Sequence, residues 1–245
     1  FFYLLYLYNP KINIIRKNNS NADIIICSHH YDHEKEWNKN NKKYIFVNWE
    51  AVNFYNLISN TYKFKKIKQK ILFTTLIEDN SIHIPYGFID YIKIKKLNLW
   101  NNNYLNIKNR KKFFGYCIRN KNWNVTTNRI KFIEMITNYT KETYALGEYC
   151  SPKSIHTKLN FHYNGDKNHS NFLNKNSDKS TEELIKKYSE FKFILAAENT
   201  ISYGYMSEKI INALAAGCIP IYIGSSKYIK KVINPKRIII ANDFQ

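Results

Sequence analysis

Residues 197–209 read A-E-N-T-I-S-Y-G-Y-M-S-E-K and gather two kinds of chemistry, carboxylates and a cation, around amide and phenol groups. Glu198 and Asn199 fall just past an apolar run, and Tyr205, Glu208 and Lys209 open a segment rich in good helix formers. Their i, i+3, i+4 spacing puts the last three on one face once that segment is helical. The orphan N–H groups and the dipole at a helix N-terminus already favour an anion. A lysine there opposes its usual dipole preference but strengthens an anion site. Beside an acidic residue, it fits a phosphate-bearing ligand whose sugar hydroxyls donate to Glu208. The bland alternative is an ordinary i, i+1 charge pair on an amphipathic helix, and spacing alone leaves both open.

Other candidates carry less. Glu50, in F-V-N-W-E-A-V-N-F, reads by itself as an exposed carboxylate after a strand. His29, His30 and His33 crowd an expected loop, where three histidines in five residues are a weak metal signal, and no Asp-x-Asp occurs. No metal is expected. Cys27, Cys117, Cys150 and Cys218 lie far apart with no C-x-x-C pair, which argues against a zinc ribbon or redox motif. Cys218 falls in an expected buried strand and reads as core.

The elements that must position these residues are clearest near the end of the chain. Residues 191–196 (F-K-F-I-L-A) predict a strand, 207–216 a helix closed by Gly217, and 218–223 (C-I-P-I-Y-I) a second strand. Strand, loop, helix and strand in about thirty residues make a βαβ unit. Such a unit implies a parallel sheet with ligands beyond the carboxyl ends of its strands. Upstream, 112–118 predicts a strand, 128–139 a helix with Ile130, Ile133 and Ile136 on one face, and 182–188 another helix. Residues 23–28, 44–48, 71–77 and 81–85 predict strands of an earlier half, and the opening F-F-Y-L-L-Y-L-Y reads as a strand or the tail of a removed anchor. The Lys/Asn/Leu-rich stretch 91–110 is expected to be a linker, and 164–180 a surface loop. The basic stretch 62–70 reads as a solvated face. The expected class is α/β in two Rossmann-like halves, residues 1–100 and 101–245.

With 44% hydrophobic residues the chain can build a core, and no apolar run approaches the ~18–20 residues of a transmembrane helix. Lys plus Arg is 38 against 19 Asp plus Glu, a formal net charge of +19. That balance excludes an acidic solvating tail and invites a nucleic-acid reading. The abundance of Asn, Lys, Ile and Tyr is also what an AT-rich genome produces without selecting any partner.

The stretch 191–226, F-K-F-I-L-A-A-E-N-T-I-S-Y-G-Y-M-S-E-K-I-I-N-A-L-A-A-G-C-I-P-I-Y-I-G-S-S, resembles the signature of the alpha-1,3-fucosyltransferases. Asn234-Pro235-Lys236 and Asn242-Asp243-Phe244 resemble that family's downstream segment, with weaker similarity over 112–147 and 46–91. The resemblance implies a GT-B fold, two Rossmann-like domains facing a cleft, and inverting transfer of fucose from GDP-fucose without a bound metal. It places donor binding on Asn199, Tyr205, Glu208 and Lys209, adds Arg129 to neutralise the diphosphate, and makes Glu50 the catalytic base. Trp49 stands where the family pattern has Gly, Ala197 where it has Phe, and Thr200 where it has Ser. The family pattern continues past Phe244 into further helices, so the chain is expected to be a fragment.

The leading expectation is transfer of fucose to a glycan hydroxyl, in alpha-1,3 linkage to GlcNAc of an oligosaccharide or glycoprotein acceptor. A related GT-B transferase with another nucleotide sugar, a basic nucleic-acid-binding protein and a non-catalytic lectin-like remnant are the alternatives. Membrane association would come through segments outside this chain, of the Golgi type in a eukaryote and peripheral, if any, in a bacterium or virus.

Overall fold

A computed structural model describes residues 24–28, 43–48, 70–74, 81–100, 104–118, 127–140, 142–147, 149–157 and 175–242. Two compact units divide between Ile84 and Pro85. In the first, β1 (Ile24–Ser28), β2 (Lys43–Asn48), β3 (Lys70–Thr74) and β4 (Ser81–His83) form a four-stranded sheet in that order. Every pair is parallel, with Ile26 opposite Ile45 and Ile45 opposite Ile71. Parallel pairing needs a crossover between successive strands, and the short β-branched runs suit strands covered on both faces.

The second unit holds a six-stranded parallel sheet. Its strands are β5 (Lys112–Tyr116), β6 (Thr143–Ala145), β7 (Ile155–His156), β8 (Phe191–Ala197), β9 (Ile219–Ile223) and β10 (Ile239–Ile240). The spatial order is β10-β9-β8-β5-β6-β7. After β5 the chain builds outward to one side through β6 and β7, then returns to build the other side from β8. The order therefore reverses between β5 and β8, the position where open α/β sheets bind ligands.

Along β8 the side chains alternate between two cores. Leu195 and Ala197 join Phe114, Tyr116, Ile221 and Ile223 against Phe132 and Ile133 of α2 (Thr127–Tyr139). Ile194 and Ala196 join Tyr222, Ile94 of α1 (Tyr86–Lys96), Ile185 of α3 (Lys175–Tyr188) and Ile210 of α4 (Glu208–Ala215). A two-residue side-chain period buried on both faces is what makes this strand read as a continuous apolar run from Phe193 to Ala197, after the partly exposed Lys192. A last helix, α5 (Ser226–Val232), follows β9.

The expected linker is largely ordered structure. Residues 86–96 form α1, and 104–109 form a 3-10 turn. Arg110, in the same stretch, donates to the carbonyls of Phe191 at 2.8 Å and Ala216 at 2.9 Å and to the Cys218 sulfur at 3.2 Å. It ties the start of β8 to the end of α4. The unit division accordingly lies upstream of the expected 100/101 boundary, because α1 packs with the second unit. The Gly87 N–H donates to the Met206 carbonyl at 2.8 Å, and a Cβ at Gly87 would come within 2.5 Å of the Ser207 carbonyl oxygen. No side chain larger than hydrogen fits that approach. Residues 175–180, expected in a loop, are the first turns of α3.

Candidate active site

Helix α4 begins where its sequence says it should, but three residues later than the i, i+3, i+4 argument requires. Ser207 is extended and caps the helix, its hydroxyl accepting from the Lys209 N–H at 3.5 Å. Tyr205 and Met206 therefore precede the helix, so Tyr205 does not share a helical face with Glu208 and Lys209. Both Tyr205 and Met206 are nonetheless buried. At the far end Gly217 takes φ 71°, with its N–H on the Leu214 carbonyl at 2.9 Å and that of Cys218 on Ala213 at 3.0 Å. That is a Schellman ending, and it turns the chain directly into β9.

The carboxyl end of β8 faces this helix start. Glu198 donates its backbone N–H to the Ile223 carbonyl at 2.8 Å, which extends the sheet by one bond. Its side chain is wholly inaccessible to solvent. One carboxylate oxygen accepts the Ser207 backbone N–H at 2.8 Å and the other accepts the Ser207 hydroxyl at 2.5 Å. The Lys209 ammonium lies 3.1 Å from the same hydroxyl, 3.2 Å from Glu208 Oε1 and 4.0 Å from Glu198 Oε2. Burial pulls the Lys209 ammonium down, but Glu208 and Glu198 outweigh it and hold the group above the ordinary lysine value. Burial pushes the Glu198 carboxyl up, against Lys209 and the Ser207 bonds.

Arg129 enters from α2. It is 5% exposed, and one terminal nitrogen donates to Asn199 Oδ1 at 3.0 Å. Its Nε–H is buried with no acceptor among the described residues. Burial lowers its pKa, with Glu198 and Tyr205 acting the other way. An arginine donor left without an acceptor costs free energy, and an anionic ligand would supply the missing acceptor. Of the six residues singled out from the sequence, five converge here: Arg129, Asn199, Tyr205, Glu208 and Lys209. Glu50 lies outside the described residues, as do His29, His30 and His33. Among the described residues no three His, Cys, Asp or Glu side chains meet as a metal site, and no helix is long and apolar enough to cross a membrane.

Two members of the site were not singled out beforehand. In sequence Glu198 is simply the residue after a strand, and its burial has no signature there. Asp90 sits on α1, where burial first and then Glu208 push its carboxyl up to about 7, with Lys93 and Lys209 opposing. The residue stands just before the stretch 91–110 that reads as a linker, and the docking of α1 on residues 206–207 brings it near.

A doubly wound parallel sheet with two cations at its reversal point defines a Rossmann-like domain suited to a phosphorylated ligand. The family model "Glycosyltransferase family 10 (fucosyltransferase) C-term" matches residues 107–245, and the chain belongs to that family. A protein of Acanthamoeba polyphaga mimivirus, named provisionally as a fucosyltransferase, is 31% identical over 172 residues, covering 70% of this chain and 25% of its own length. The Helicobacter pylori alpha-(1,3)-fucosyltransferase FucT is 47% identical over 57 residues, which is 23% of this chain and 12% of that protein. The bovine 4-galactosyl-N-acetylglucosaminide 3-alpha-L-fucosyltransferase 9 is 28% identical over 156 residues, 62% of this chain and 33% of that one. This chain thus spans a third or less of the length of these relatives.

Solved structures confirm the fold. An alpha1,3-fucosyltransferase with GDP superposes with TM-score 0.62 at 18% identity, covering 99% of this chain and 68% of that one. A second alpha1,3-fucosyltransferase structure gives TM-score 0.59 at 22% identity, covering 95% and 64%. The architecture is the GT-B one that the resemblance implies.

Proposed function

We propose that this chain binds GDP-fucose in its second unit and passes fucose to a glycan hydroxyl. The observation that carries the reading is the unaccepted Arg129 Nε–H beside Lys209, at the sheet's reversal point. Membership of the fucosyltransferase family supports the choice of donor, and structural neighbours were solved with GDP and with GDP-fucose. In this reading the diphosphate lies between Lys209 and Arg129, while Glu208, Asn199 and Tyr205 meet the sugar and nucleoside hydroxyls.

Transfer inverts the anomeric carbon in one displacement. Glu50 takes the proton from the acceptor hydroxyl as its oxygen bonds to that carbon. The bond from carbon to diphosphate oxygen breaks in the same step, and the electron pair leaves with GDP. Charge grows on the departing diphosphate, where fixed cations lower the barrier more than mobile water would. The product is an alpha-1,3 linkage to GlcNAc of an oligosaccharide or glycoprotein acceptor. No metal takes part in this scheme, because Lys209 and Arg129 carry the charge stabilisation.

Calorimetric titration with GDP, GDP-fucose, UDP and a short DNA duplex tests the donor assignment. Selective binding of the two guanine nucleotides is the expected result. Binding of UDP in their place would move the protein to another nucleotide sugar, and binding of DNA alone would overturn the reading.

A further inference from the structure

We propose that Glu198 is a positioning residue of this site, the built-in counter-charge that aims Lys209 through the Ser207 hydroxyl. The inference rests on the donor-site reading and deepens it. A carboxylate removed from solvent is costly unless its acceptor capacity is filled. Glu198 has a donor on each oxygen, the Ser207 N–H at 2.8 Å and the Ser207 hydroxyl at 2.5 Å. That hydroxyl has one proton, and it goes to Glu198, so its lone pairs are left to receive the Lys209 ammonium at 3.1 Å. The chain Glu198–Ser207–Lys209 therefore has only one consistent set of donors and acceptors. A flexible lysine, which ordinarily samples many rotamers, is held on one line at the mouth of α4.

The charges close as well. Lys209 and Arg129 contribute two positive charges, and Glu198 and Glu208 two negative ones. Glu208 is a third exposed and can turn to a ligand hydroxyl, whereas Glu198 has nowhere to turn. Its backbone is fixed to β9 and its side chain is clamped across the start of α4. These four charges therefore balance without sacrificing the direction of Lys209, and the Asp90 carboxyl, titrating near 7, adds to the negative side as the pH rises. Among the described residues, the titratable and charged groups that act on Lys209 come from every element packed around it. Glu208 is on its own helix, Glu198 at the end of β8 and Arg129 on α2, with Asp90 on α1 and the Cys117 thiol just past β5.

Glu198→Gln preserves shape and removes the charge 4.0 Å from the ammonium. A unit charge at that distance moves a partner's titration by about one to three pH units, depending on effective dielectric. The test is GDP binding by calorimetry for the full chain and the variant at pH 7 and pH 9.5. The ligand's own ionisation cancels in the ratio of variant to wild-type Kd. That ratio is expected to rise about threefold or more between the two pH values, as Lys209 loses its proton early in the variant. A ratio unchanged with pH overturns the proposal, even if the variant melts at a lower temperature, because a purely structural role would move stability alone.

If Glu198→Gln does not fold, Ser207→Ala carries the test. It removes the relay hydroxyl together with the cap bond to the Lys209 N–H. GDP affinity at pH 7 is expected to fall at least threefold, and an unchanged Kd would overturn the proposal. Failure of the wild-type chain to bind GDP at all is a different result, which sinks the donor-site reading and this inference with it.

Discussion

Replacing Lys209 with methionine keeps the unbranched stem of the side chain and deletes its ammonium. Two consequences can be worked from the geometry. The first concerns the ligand. A charge-assisted hydrogen bond is worth about 1.5–3 kcal/mol, so GDP affinity should fall about 10- to 150-fold if Lys209 grips the diphosphate. The second concerns the protein alone. Lys209 lies 4.0 Å from a carboxylate with no solvent access, and is itself 23% exposed. A pair at that distance is worth between about 1 kcal/mol in water and about 4 kcal/mol at an effective dielectric of 20. With part of the lysine in solvent, a loss of about 1–3 kcal/mol is expected at neutral pH.

The sign with pH then discriminates. Burial already raises the Glu198 carboxyl above the ordinary 4.5, and losing the cation raises it further. A carboxyl titrating higher in the folded than in the unfolded state favours the native fold when protonated. The deficit of the Lys209→Met variant should therefore be small near pH 4.5 and grow as the pH rises toward the folded value. Urea unfolding at pH 4.5 and pH 7.5, with GDP titration at the higher pH, reads both effects. Equal stability deficits at the two pH values would refute the ion-pair argument, and unchanged GDP affinity would reduce Lys209 to a surface residue.

Two further substitutions test the remaining carboxylates. Glu50→Gln should retain GDP-fucose binding and lose transfer by about 10²-fold or more, the scale of a positioned base; transfer at the wild-type rate would remove Glu50 from the mechanism. Asp90, with its carboxyl near 7 in the fold against 3.8 for a free aspartate, contributes stability that is present at pH 3.8 and below and is lost as the pH climbs to about 7. Asp90→Asn should flatten that decline in the urea midpoint, and parallel profiles for the two proteins would show that Asp90 does not carry it.

The βαβ unit could be read from the chain because each of its parts has a local cause. Residues 191–197 and 219–223 are apolar runs buried on both faces, and Gly217 marks the left-handed turn between α4 and β9. Lys209 stood out because a cation at a helix start goes against the dipole. What stayed hidden depends on long-range packing. A glutamate after a strand looks exposed, and only the meeting of β8 with the start of α4 buries Glu198. Arg110 and α1 lie in a basic, Asn-rich stretch whose composition reads as linker, yet Arg110 bonds to Phe191 and Ala216, 81 and 106 residues further along the chain. Arg129 came from family resemblance, and its spacing by itself would not have led to Asn199.

The seating of α1 also determines where the polypeptide can be cut. The family match begins at residue 107, after this helix has ended. A fragment started there would retain every converging cation and carboxylate of the site except Asp90. It would nevertheless lose Ile94, which is fully buried in the same cluster as Met206 and Ile210, and with it the Gly87 bond that holds the backbone at 206. The loop from 198 to 207 would then face water on a side now covered by a helix. For expression or crystallisation of the second unit alone, residue 85 is therefore the safer point of departure, and the sheet's own first strand at 112 is a misleading guide.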